Sequence, residues 1–272
     1  MATPIGNLED ISSRALYSLA GADVIAAEDT RVTARLLEHH RLRGKLLAVH
    51  EHNERRAAEH ILRELARGKN IALVTDAGTP GISDPGAVVV AMARAAGFRV
   101  IPVPGPNAAV TALSAAGLRD GPFLFFGFLP ARSAARRKAL ATLIEAPYAL
   151  VFYEAPHRIA ECVEDMSAVL GPDRTLVLAR ELTKVFEEFH RCPLSDAAEW
   201  LRENPDRQRG EFVLIVESAP AREKVGNWEP VLSALLAEMP LARAVKLTCR
   251  IAGAKRKAVY ERALSLKGNA RD

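Results

Sequence analysis

The sequence has few aromatic residues, few cysteines and no long apolar run. Aromatic residues make up 6% of the 272 positions, so a core must consist mainly of Ala, Val, Leu and Ile. The sequence contains no run of about 18 apolar residues, so it predicts no membrane-spanning helix. The N-terminus lacks the basic start and apolar stretch of a secretory signal. The three cysteines, Cys162, Cys192 and Cys249, are far apart and lack metal-ligand spacing. These absences predict a cytoplasmic protein with free thiols, no membrane contact and no bound metal.

The charge is unevenly distributed along the chain. Residues 221–272 hold 11 Lys/Arg and 5 Asp/Glu, a balance of +6, whereas the first 220 residues hold the other 26 basic and 28 acidic residues, a balance of −2. A near-neutral body with a basic tail indicates a polyanionic partner that the tail contacts. A solvated helix surface would give the same composition, so charge alone leaves both interpretations open.

Short apolar runs alternate with helical patterns. Runs rich in Val, Leu and Phe, which are typical of strands buried on both faces, occupy residues 22–27, 71–75, 98–102, 123–126, 149–153, 175–179 and 211–217. Helical patterns occupy residues 11–19, 54–67, 86–96 and 133–144, the first with Asp10 or Ser12 available as a cap. The alternation predicts an α/β fold with mostly parallel sheets.

Two breaker-rich stretches divide the chain. The first, at 117–122, separates two α/β halves, which predicts domains at 1–118 and 119–220. The second, at 218–230, leads into a basic tail at 221–272, which we interpret as three helices at 231–238, 241–252 and 254–266. The last two helices, joined at Gly253, resemble a helix-turn-helix unit, although any helical hairpin gives this pattern.

Three loops rich in glycine and proline stand at the ends of strand positions. They are DAGTPGISDPG at 76–86, PVPGPNA at 102–108 and TPIGN at 3–7. Ligands of open α/β sheets bind at the carboxyl ends of strands, where Asp76 lies. Neither GxxxxGK[ST] nor GxGxxG occurs, so the loops indicate a ligand held by backbone polar groups, which suits S-adenosylmethionine. The simpler interpretation of the first loop is a tight strand-to-helix connection that Asp84 caps.

Polar clusters at predicted strand or loop ends are candidates for catalysis and substrate contact: EDTR at 28–31, HEHN at 50–53, EAPHR at 154–158 and RELTK at 180–184. His50 and His52 have no third ligand nearby, which argues against zinc. Several basic residues are candidates for RNA contact, although each alone is more often a surface or salt-bridge residue. We expect RNA contact from Arg31, Arg136, Arg137, Arg158, Lys255, Arg256 and Lys257.

The strings of one known family occur together here, in order and spacing: ATPIGNLEDIS, AAEDTR, HEHNE, LVTDAGTPGISDPG, PVPGPNA, FGFLP, FYEAPHR, ARELTKVFEEF and GEFVLIV. On these strings the chain resembles the ribosomal small-subunit methyltransferase I family of the tetrapyrrole methylase superfamily, from Ala2 to about Val216. The tail also resembles that family's C-terminal helical domain. The resemblance implies a two-domain tetrapyrrole-methylase-like (class III methyltransferase) fold with S-adenosylmethionine in the cleft between the domains. It further implies a homodimer and 2'-O-methylation of a cytidine ribose in 16S rRNA, at the decoding centre of the small ribosomal subunit.

The resemblance also carries cofactor contacts over, residue by residue. They fall on Ile5, Asp76, Gly78, Thr79, Gly105, Pro106, Asn107, Tyr153, Leu182 and Phe212. One departure is that the family has a short apolar strand before ATPIGNL, whereas Met1 stands there in this sequence. Without that strand, we expect the first sheet to lose a buried neighbour and the first loop to lose its anchor.

The implied reaction transfers a sulfonium methyl group to a ribose 2'-oxygen, which a general base assists. Among the acidic and histidine side chains of the polar clusters, we favour Glu28, Asp29 and Glu154 as bases because they follow buried strands. Two other functions stay open. One is a methyltransferase of the same superfamily that acts on a tetrapyrrole or another small molecule. The other is a non-enzymatic RNA-binding assembly factor, which would not bind S-adenosylmethionine.

Overall fold

A computed structural model describes residues 1–118, 121–219 and 228–268. Contacts between Cα atoms divide the chain into two compact units, Met1–Ala219 and Pro220–Asp272. The predicted boundary at residue 118 falls inside the first unit and stays a prediction. Arg119 and Asp120 of the predicted breaker, and residues 221–227 of the predicted tail, lie outside the described residues. Within the described ranges, no helix is long and apolar enough to cross a membrane.

The first half of the larger unit is built on a parallel sheet. Its strands are β1 (Val24–Ala27), β2 (Leu46–Ala48) and β3 (Ile71–Val74), in the order β2-β1-β3. Its helices are α1 (Ser13–Ala20), α2 (Thr30–His39), α3 (Glu54–Ala66), α4 (Ala87–Ala95) and α5 (Ala108–Ala115). All four residues of β1 are buried because both faces of this central strand are covered: Ile25 and Ala27 lie in one core cluster and Ala26 in another, which explains the continuous apolar run. The predicted strands at 22–27 and 71–75 are confirmed, with slightly shorter bounds.

The predicted strand at 98–102 is wrong, because the structure has no strand there. A strand needs a ladder of hydrogen bonds to a neighbour. In the described part of the chain, Val103, directly after the segment, accepts a backbone bond from the N–H of Ala2 at 3.2 Å, and no ladder of such bonds forms. The Met1 ammonium meanwhile donates to the carbonyl oxygen of Leu73, 2.8 Å away in β3. The first residues of the chain therefore contact both β3 and this segment.

The second half is a five-stranded sheet in the order β4-β5-β8-β6-β7. The strands are β4 (Phe123–Phe128), β5 (Ala149–Glu154), β6 (Thr175–Arg180), β7 (Glu188–Pro193) and β8 (Phe212–Val216). β4 and β5 are parallel, but β5–β8, β8–β6 and β6–β7 are antiparallel. The prediction of mostly parallel sheets is wrong for this half. The cause is that β6 and β7 form a hairpin, and β8 inserts between β5 and β6.

The two faces of this sheet pack against different helices. Leu150 and Phe152 of β5 face a core that includes residues of α6 (Ser133–Ala141), α7 (Ile159–Leu170) and α8 (Leu194–Glu203). Val151 and Tyr153 face the opposite way and pack with residues of α5. The period of two along β5 therefore places Tyr153 beside a helix that follows the first sheet.

The smaller unit contains α9 (Trp228–Glu238), α10 (Leu241–Ala252) and α11 (Arg256–Gly268). Its core includes Trp228, Leu232, Val245 and Val259. Gly253 ends α10 in the left-handed conformation, with φ of 64°, as a residue that follows a helix often does. The predicted helix at 241–252 is confirmed, and its two neighbours differ from prediction by a few residues at their ends.

Candidate functional site

The three glycine- and proline-rich loops are joined by hydrogen bonds. The N–H of Thr3 donates to the carbonyl oxygen of Gly78 at 2.9 Å, and the N–H of Gly78 donates back to Thr3 at 3.0 Å. The hydroxyl of Thr79 donates to the carbonyl oxygen of Pro106 at 3.2 Å. The loops at 3–7, 76–86 and 102–108 therefore form one layer beyond the carboxyl end of β3.

The first loop also contacts the second half of the unit at Gly6. A Cβ atom on Gly6 would lie 2.6 Å from the carbonyl oxygen of Leu182, closer than such atoms approach in proteins. Leu182 belongs to the turn that joins β6 to β7. A glycine is therefore required for this approach of the two halves.

A cavity of about 330 Å³ lies between the loops and the second sheet. Its lining residues are Ile5, Ala77, Gly78, Thr79, Ile82, Ser83, Asp84, Asn107, Ala108, Phe128, Tyr153, Glu154, Ala155, Pro156, Leu182, Glu211, Phe212 and Val213. Of the predicted cofactor contacts, Ile5, Gly78, Thr79, Asn107, Tyr153, Leu182 and Phe212 line it. Asp76, Gly105 and Pro106 are not among the lining residues and lie in the adjoining loops.

The cavity fits a cofactor with an apolar ring and several polar groups. Its volume is in the range of about 300–1,000 Å³ that small-molecule sites occupy. Ile5, Leu182 and Phe212 supply apolar wall. Gly78, with φ of 76°, adopts a left-handed conformation that favours glycine, and a Cβ there would stand 3.6 Å from Cγ2 of Ile5. S-adenosylmethionine, which the sequence resemblance implies, has these features.

Two residues hold the third loop against the second sheet. The Tyr153 hydroxyl oxygen accepts a hydrogen bond from the N–H of Ala109 at 3.1 Å. Asn107 caps α5, since its side-chain oxygen accepts from the N–H of Val110 at 3.2 Å. Tyr153 and Asn107 both line the cavity, so these bonds fix part of its wall.

Four carboxylates form an acidic cluster beside the cavity: Glu28, Asp29, Asp76 and Asp84. Burial, together with the charges of Glu28 and Asp76, raises the pKa of Asp84 to about 6. Burial also raises the pKa of Glu28. Hydrogen bonds from Arg31 lower the pKa of Asp29 to about 2, and Asp29 caps α2 by accepting from the N–H of Arg31. Asp84 is the member of the cluster that lines the cavity.

The interpretation of Asp84 as a helix cap is wrong. Glu54, the first residue of α3, caps α4 instead: its Oε1 accepts from the N–H groups of Gly86 and Val88, each at 2.8 Å. Sequence reasoning missed this because the capping carboxylate comes from another helix. Asp84 does not cap the helix and lines the cavity instead. Its position in the glycine-rich loop was the sequence feature that could have indicated this role.

Glu154 lies at the end of β5, and its side chain is fully buried. Oε1 accepts from the N–H of Ala155 at 2.8 Å, and Oε2 accepts from a guanidinium nitrogen of Arg158 at 3.2 Å. The same nitrogen of Arg158 donates to the carbonyl oxygen of Leu129 at 2.6 Å. Glu154 lines the cavity, and Arg158 holds it in place without lining the cavity itself.

The predicted RNA-contacting residues fall into different environments. Arg136 is fully buried, and its Nε donates to Asp165 at 2.6 Å, so it has no access to a phosphate group and the prediction for it is corrected. Arg137 is half-exposed and bonds to the same carboxylate. Arg31 is 86% exposed and pairs with Asp29. The three basic residues at 255–257 are exposed at the start of α11. A burial pattern of this kind is invisible in an isolated stretch such as ARSAARRK.

Comparison with family models gives two matches that together span most of the chain. Residues 2–198 match the model described as Tetrapyrrole (Corrin/Porphyrin) Methylases. Residues 226–267 match the model described as RsmI C-terminal HTH domain.

Similar proteins are found over nearly the full length. The chain is 50% identical to the ribosomal RNA small subunit methyltransferase I of Escherichia coli O157:H7, over 98% of this chain and 94% of that protein. It is 46% identical to the protein of the same name from Haemophilus influenzae, over 96% of this chain and 94% of that protein.

Solved structures show the same fold at low identity. A cobalt precorrin-4 methyltransferase, CbiF, aligns with a TM-score of 0.60 at 17% identity, over 79% of this chain and 92% of that one. The uroporphyrin-III C-methyl transferase of Thermus thermophilus, complexed with S-adenyl homocysteine, aligns with a TM-score of 0.55 at 20% identity, over 79% and 94% of the two chains.

Proposed function

The chain belongs to the ribosomal RNA small subunit methyltransferase I family of the tetrapyrrole methylases, and we therefore propose that it methylates ribosomal RNA with S-adenosylmethionine as the methyl donor. In its finer form, the proposal is methylation of the 2'-oxygen of a cytidine ribose in 16S rRNA, at the decoding centre. The enzyme would act in the cytoplasm, as a homodimer, on the small ribosomal subunit. The observation that supports it is the cavity that three hydrogen-bonded loops form against the second sheet.

We propose that different parts of the cavity wall hold different parts of the cofactor. Gly78, Thr79 and Asn107 present backbone and side-chain polar atoms, whereas Leu182 and Phe212 present apolar surface. When bound, S-adenosylmethionine supplies an electrophilic methyl group on a sulfonium centre. Asp76 supports the site indirectly, because its Oδ1 accepts from the N–H of Asp29 at 2.8 Å and thereby joins two loops.

We assign the role of general base to Asp84. Its carboxylate lines the cavity, and its pKa of about 6 leaves it ionised at neutral pH yet more basic than an ordinary aspartate. It would accept the proton of the ribose hydroxyl as the bond from oxygen to the methyl carbon forms and the bond from that carbon to the sulfonium sulfur of the donor breaks. Asp29, with a pKa of about 2, is a poor base, and Glu154 has both oxygens engaged. Glu28 is not among the cavity-lining residues, and its negative charge contributes to the raised pKa of Asp84.

RNA contact is proposed for the exposed cations. Arg31 at the start of α2, Arg137 on α6 and the basic residues at 255–257 keep this role. Arg136 leaves the set because it is buried, and the half-buried Arg158 serves the cavity wall. Recognition of RNA through the 2'-hydroxyl requires the target strand to be unpaired or remodelled.

Methylation of defined substrates tests this function. Small ribosomal subunits and free 16S rRNA, both lacking the modification, are incubated with methyl-labelled S-adenosylmethionine, and the RNA is digested to nucleosides. We expect label in 2'-O-methylcytidine. Label on a base would contradict the 2'-O proposal, and label on a corrinoid precursor in place of RNA would favour the small-molecule alternative. Calorimetry without S-adenosylmethionine binding would favour the non-enzymatic assembly factor.

A further inference from the structure

A second basic surface lies on the first half of the larger unit, at the end of α2 and in the loop that follows. Between residues 30 and 49 the sequence has five Lys/Arg and one Asp/Glu. Four of the cations, Arg35, Arg41, Arg43 and Lys45, are exposed. Within the described ranges, none of these four side chains forms an ion pair or a hydrogen bond. We refer to them as the basic strip.

The basic strip borders a shallow groove of about 470 Å³ between α2 and β2. Leu37, Leu42 and Leu46 line the groove, and Arg41 and Arg43 stand among its lining residues. Glu38 is the single acidic residue there. A concave surface with unpaired guanidinium groups suits an extended polyanion better than a flat, solvated helix face would.

Arg41 holds its position in a conformation that favours glycine. Its φ is 56°, and the N–H of Leu42 donates to the carbonyl oxygen of Leu37 at 2.8 Å, so Arg41 occupies the left-handed position that follows a helix. Glycine is the residue usually found there, because a side chain strains this backbone. An exposed arginine that keeps a strained conformation points to a role outside folding.

α2 connects the basic strip to the proposed catalytic region. Asp29, a member of the acidic cluster, caps α2 at its first turn. The ten residues of α2 span about 15 Å. Arg31, Arg35 and His39 recur at intervals of four and share the exposed face that leads from Asp29 to Arg41, with Arg31 paired to Asp29 and His39 paired to Glu9. A strand whose ribose lies near Asp84 would meet this face.

We propose that the basic strip binds the phosphate backbone of the RNA substrate next to the methylated nucleotide. This inference rests on the proposed function, since it names a contact of the same substrate. Its contribution is electrostatic and independent of sequence, because the strip offers cations and no group aimed at base edges. It is distinct from the basic residues of the C-terminal unit.

The test is a triple variant, Arg41→Gly, Arg43→Ala and Lys45→Ala, compared with the full-length wild type. The glycine removes a charge and at the same time relieves the strain at residue 41, so we expect thermal stability to stay equal or rise. We measure the dissociation constant for a 16S rRNA transcript at several salt concentrations between about 50 and 200 mM. Each lost phosphate contact reduces the magnitude of the slope of the log association constant against log salt concentration by about 0.7–0.9. We expect a total decrease of about 2 and at least about tenfold weaker binding at the lowest salt.

Arg94→Ala is the matched control, because Arg94 is an exposed cation on another helix of the same unit. A slope in the triple variant equal to that of the control would overturn the proposal. A triple variant with a changed sedimentation coefficient and unchanged RNA affinity would also overturn it, because the basic strip would then contact another copy of the chain. Turnover at saturating RNA distinguishes failure of the proposed methyltransferase function from failure of the proposed RNA contact. A wild type that binds RNA without methylating it would contradict the proposed function. The salt dependence of binding would still test whether the basic strip contacts the RNA.

Discussion

The backbone N–H of Asp29 donates a hydrogen bond to Oδ1 of Asp76 over 2.8 Å, across 47 positions of the sequence. In return, the N–H of Asp76 donates to Oε2 of Glu28 at 3.3 Å. These two bonds join the loops after β1 and β3. They also keep two carboxylates close to Asp84, whose pKa burial and these charges raise to about 6. Burial and the neighbouring charges of the acidic cluster therefore together raise the pKa of the one member that lines the cavity.

The first prediction concerns Asp84→Asn. If Asp84 is the general base, its loss should lower kcat by about 10²- to 10⁴-fold with little change in the affinity for S-adenosylmethionine. In the wild type, kcat/KM should rise with pH up to about 6 and then level off, because the base is ionised above its pKa. The variant should lose this inflection. Methyl transfer across pH 5 to 8 measures both, with Asp10→Asn, an exposed aspartate, as the control.

The second prediction concerns the stability of the same variant. Because the folded-state pKa of Asp84 is raised from 3.8 to about 6, the folded protein binds more protons than the unfolded chain between these values. The contribution of this group to stability therefore falls as pH rises through that window. Asp84→Asn should be more stable than the wild type at pH 7, by about 1 kcal/mol once solvent screening of a half-exposed group is considered. Urea denaturation at pH 4 and pH 7 tests this, and an equal difference at both pH values would contradict it.

The third prediction concerns Gly6→Ala. The added Cβ would stand 2.6 Å from the backbone oxygen of Leu182, so one of the two halves must shift. Since Ile5 and Leu182 both line the cavity, the dissociation constant of S-adenosylmethionine should rise more than about tenfold, as small displacements in a site do. Gly121→Ala is the control, because nothing lies within 4 Å of its Cβ position. Calorimetry that finds equal affinity in both variants would contradict the closeness of this contact.

The sequence predicted the strands that are continuous apolar runs and missed β2, which is short, and β7, which is polar. β1 is an apolar run because its residues are buried, and β3 is an apolar run although it lies at the edge of its sheet and is half-buried at two positions, so the hydrophobic pattern finds both. β7 (EFHRCP) is an edge strand with half-buried and exposed residues, and it has no such signal. The antiparallel placement of β8 between β5 and β6 depends on pairing between distant segments, which local patterns do not encode.

For the site, the sequence located the loops but not the orientation of side chains. The sequence predicted the proximity of the loops at 3–7, 76–86 and 102–108 from strand-end positions. In the structure, the loop at 76–86 follows β3, and hydrogen bonds of Thr3 and Thr79 join the other two loops to it. The sequence does not indicate which of the carboxylates has a raised pKa, because Asp29 and Asp84 differ only in the groups that surround them. Similarly, Arg136 and Arg137 are neighbours in sequence, and only the packing of α6 on α7 separates a buried residue from an exposed one.

The fourth prediction follows from that pair. Arg136→Ala removes the fully buried partner of Asp165 and should destabilise the fold by about 3 kcal/mol. Arg137→Ala leaves the buried pair intact and removes a 54% exposed cation, so it should cost less than about 1 kcal/mol. Thermal denaturation of both variants distinguishes them. Equal losses of stability, or weaker RNA binding by a fully folded Arg136→Ala protein, would restore Arg136 as a candidate for RNA contact.

The last prediction separates a positioning role of Glu154 from a catalytic one. Glu154→Gln keeps an acceptor for the N–H of Ala155 but removes the negative charge beside Arg158, so a buried cation loses its partner. We expect a loss of stability of about 2 kcal/mol and a moderate fall in kcat, because the residue lines the cavity. The pH profile should keep its inflection near 6, since Asp84 is untouched. Glu154→Asp retains the charge and should recover part of the lost stability. A flat pH profile in Glu154→Gln, together with an unchanged one in Asp84→Asn, would transfer the role of base from Asp84 to Glu154.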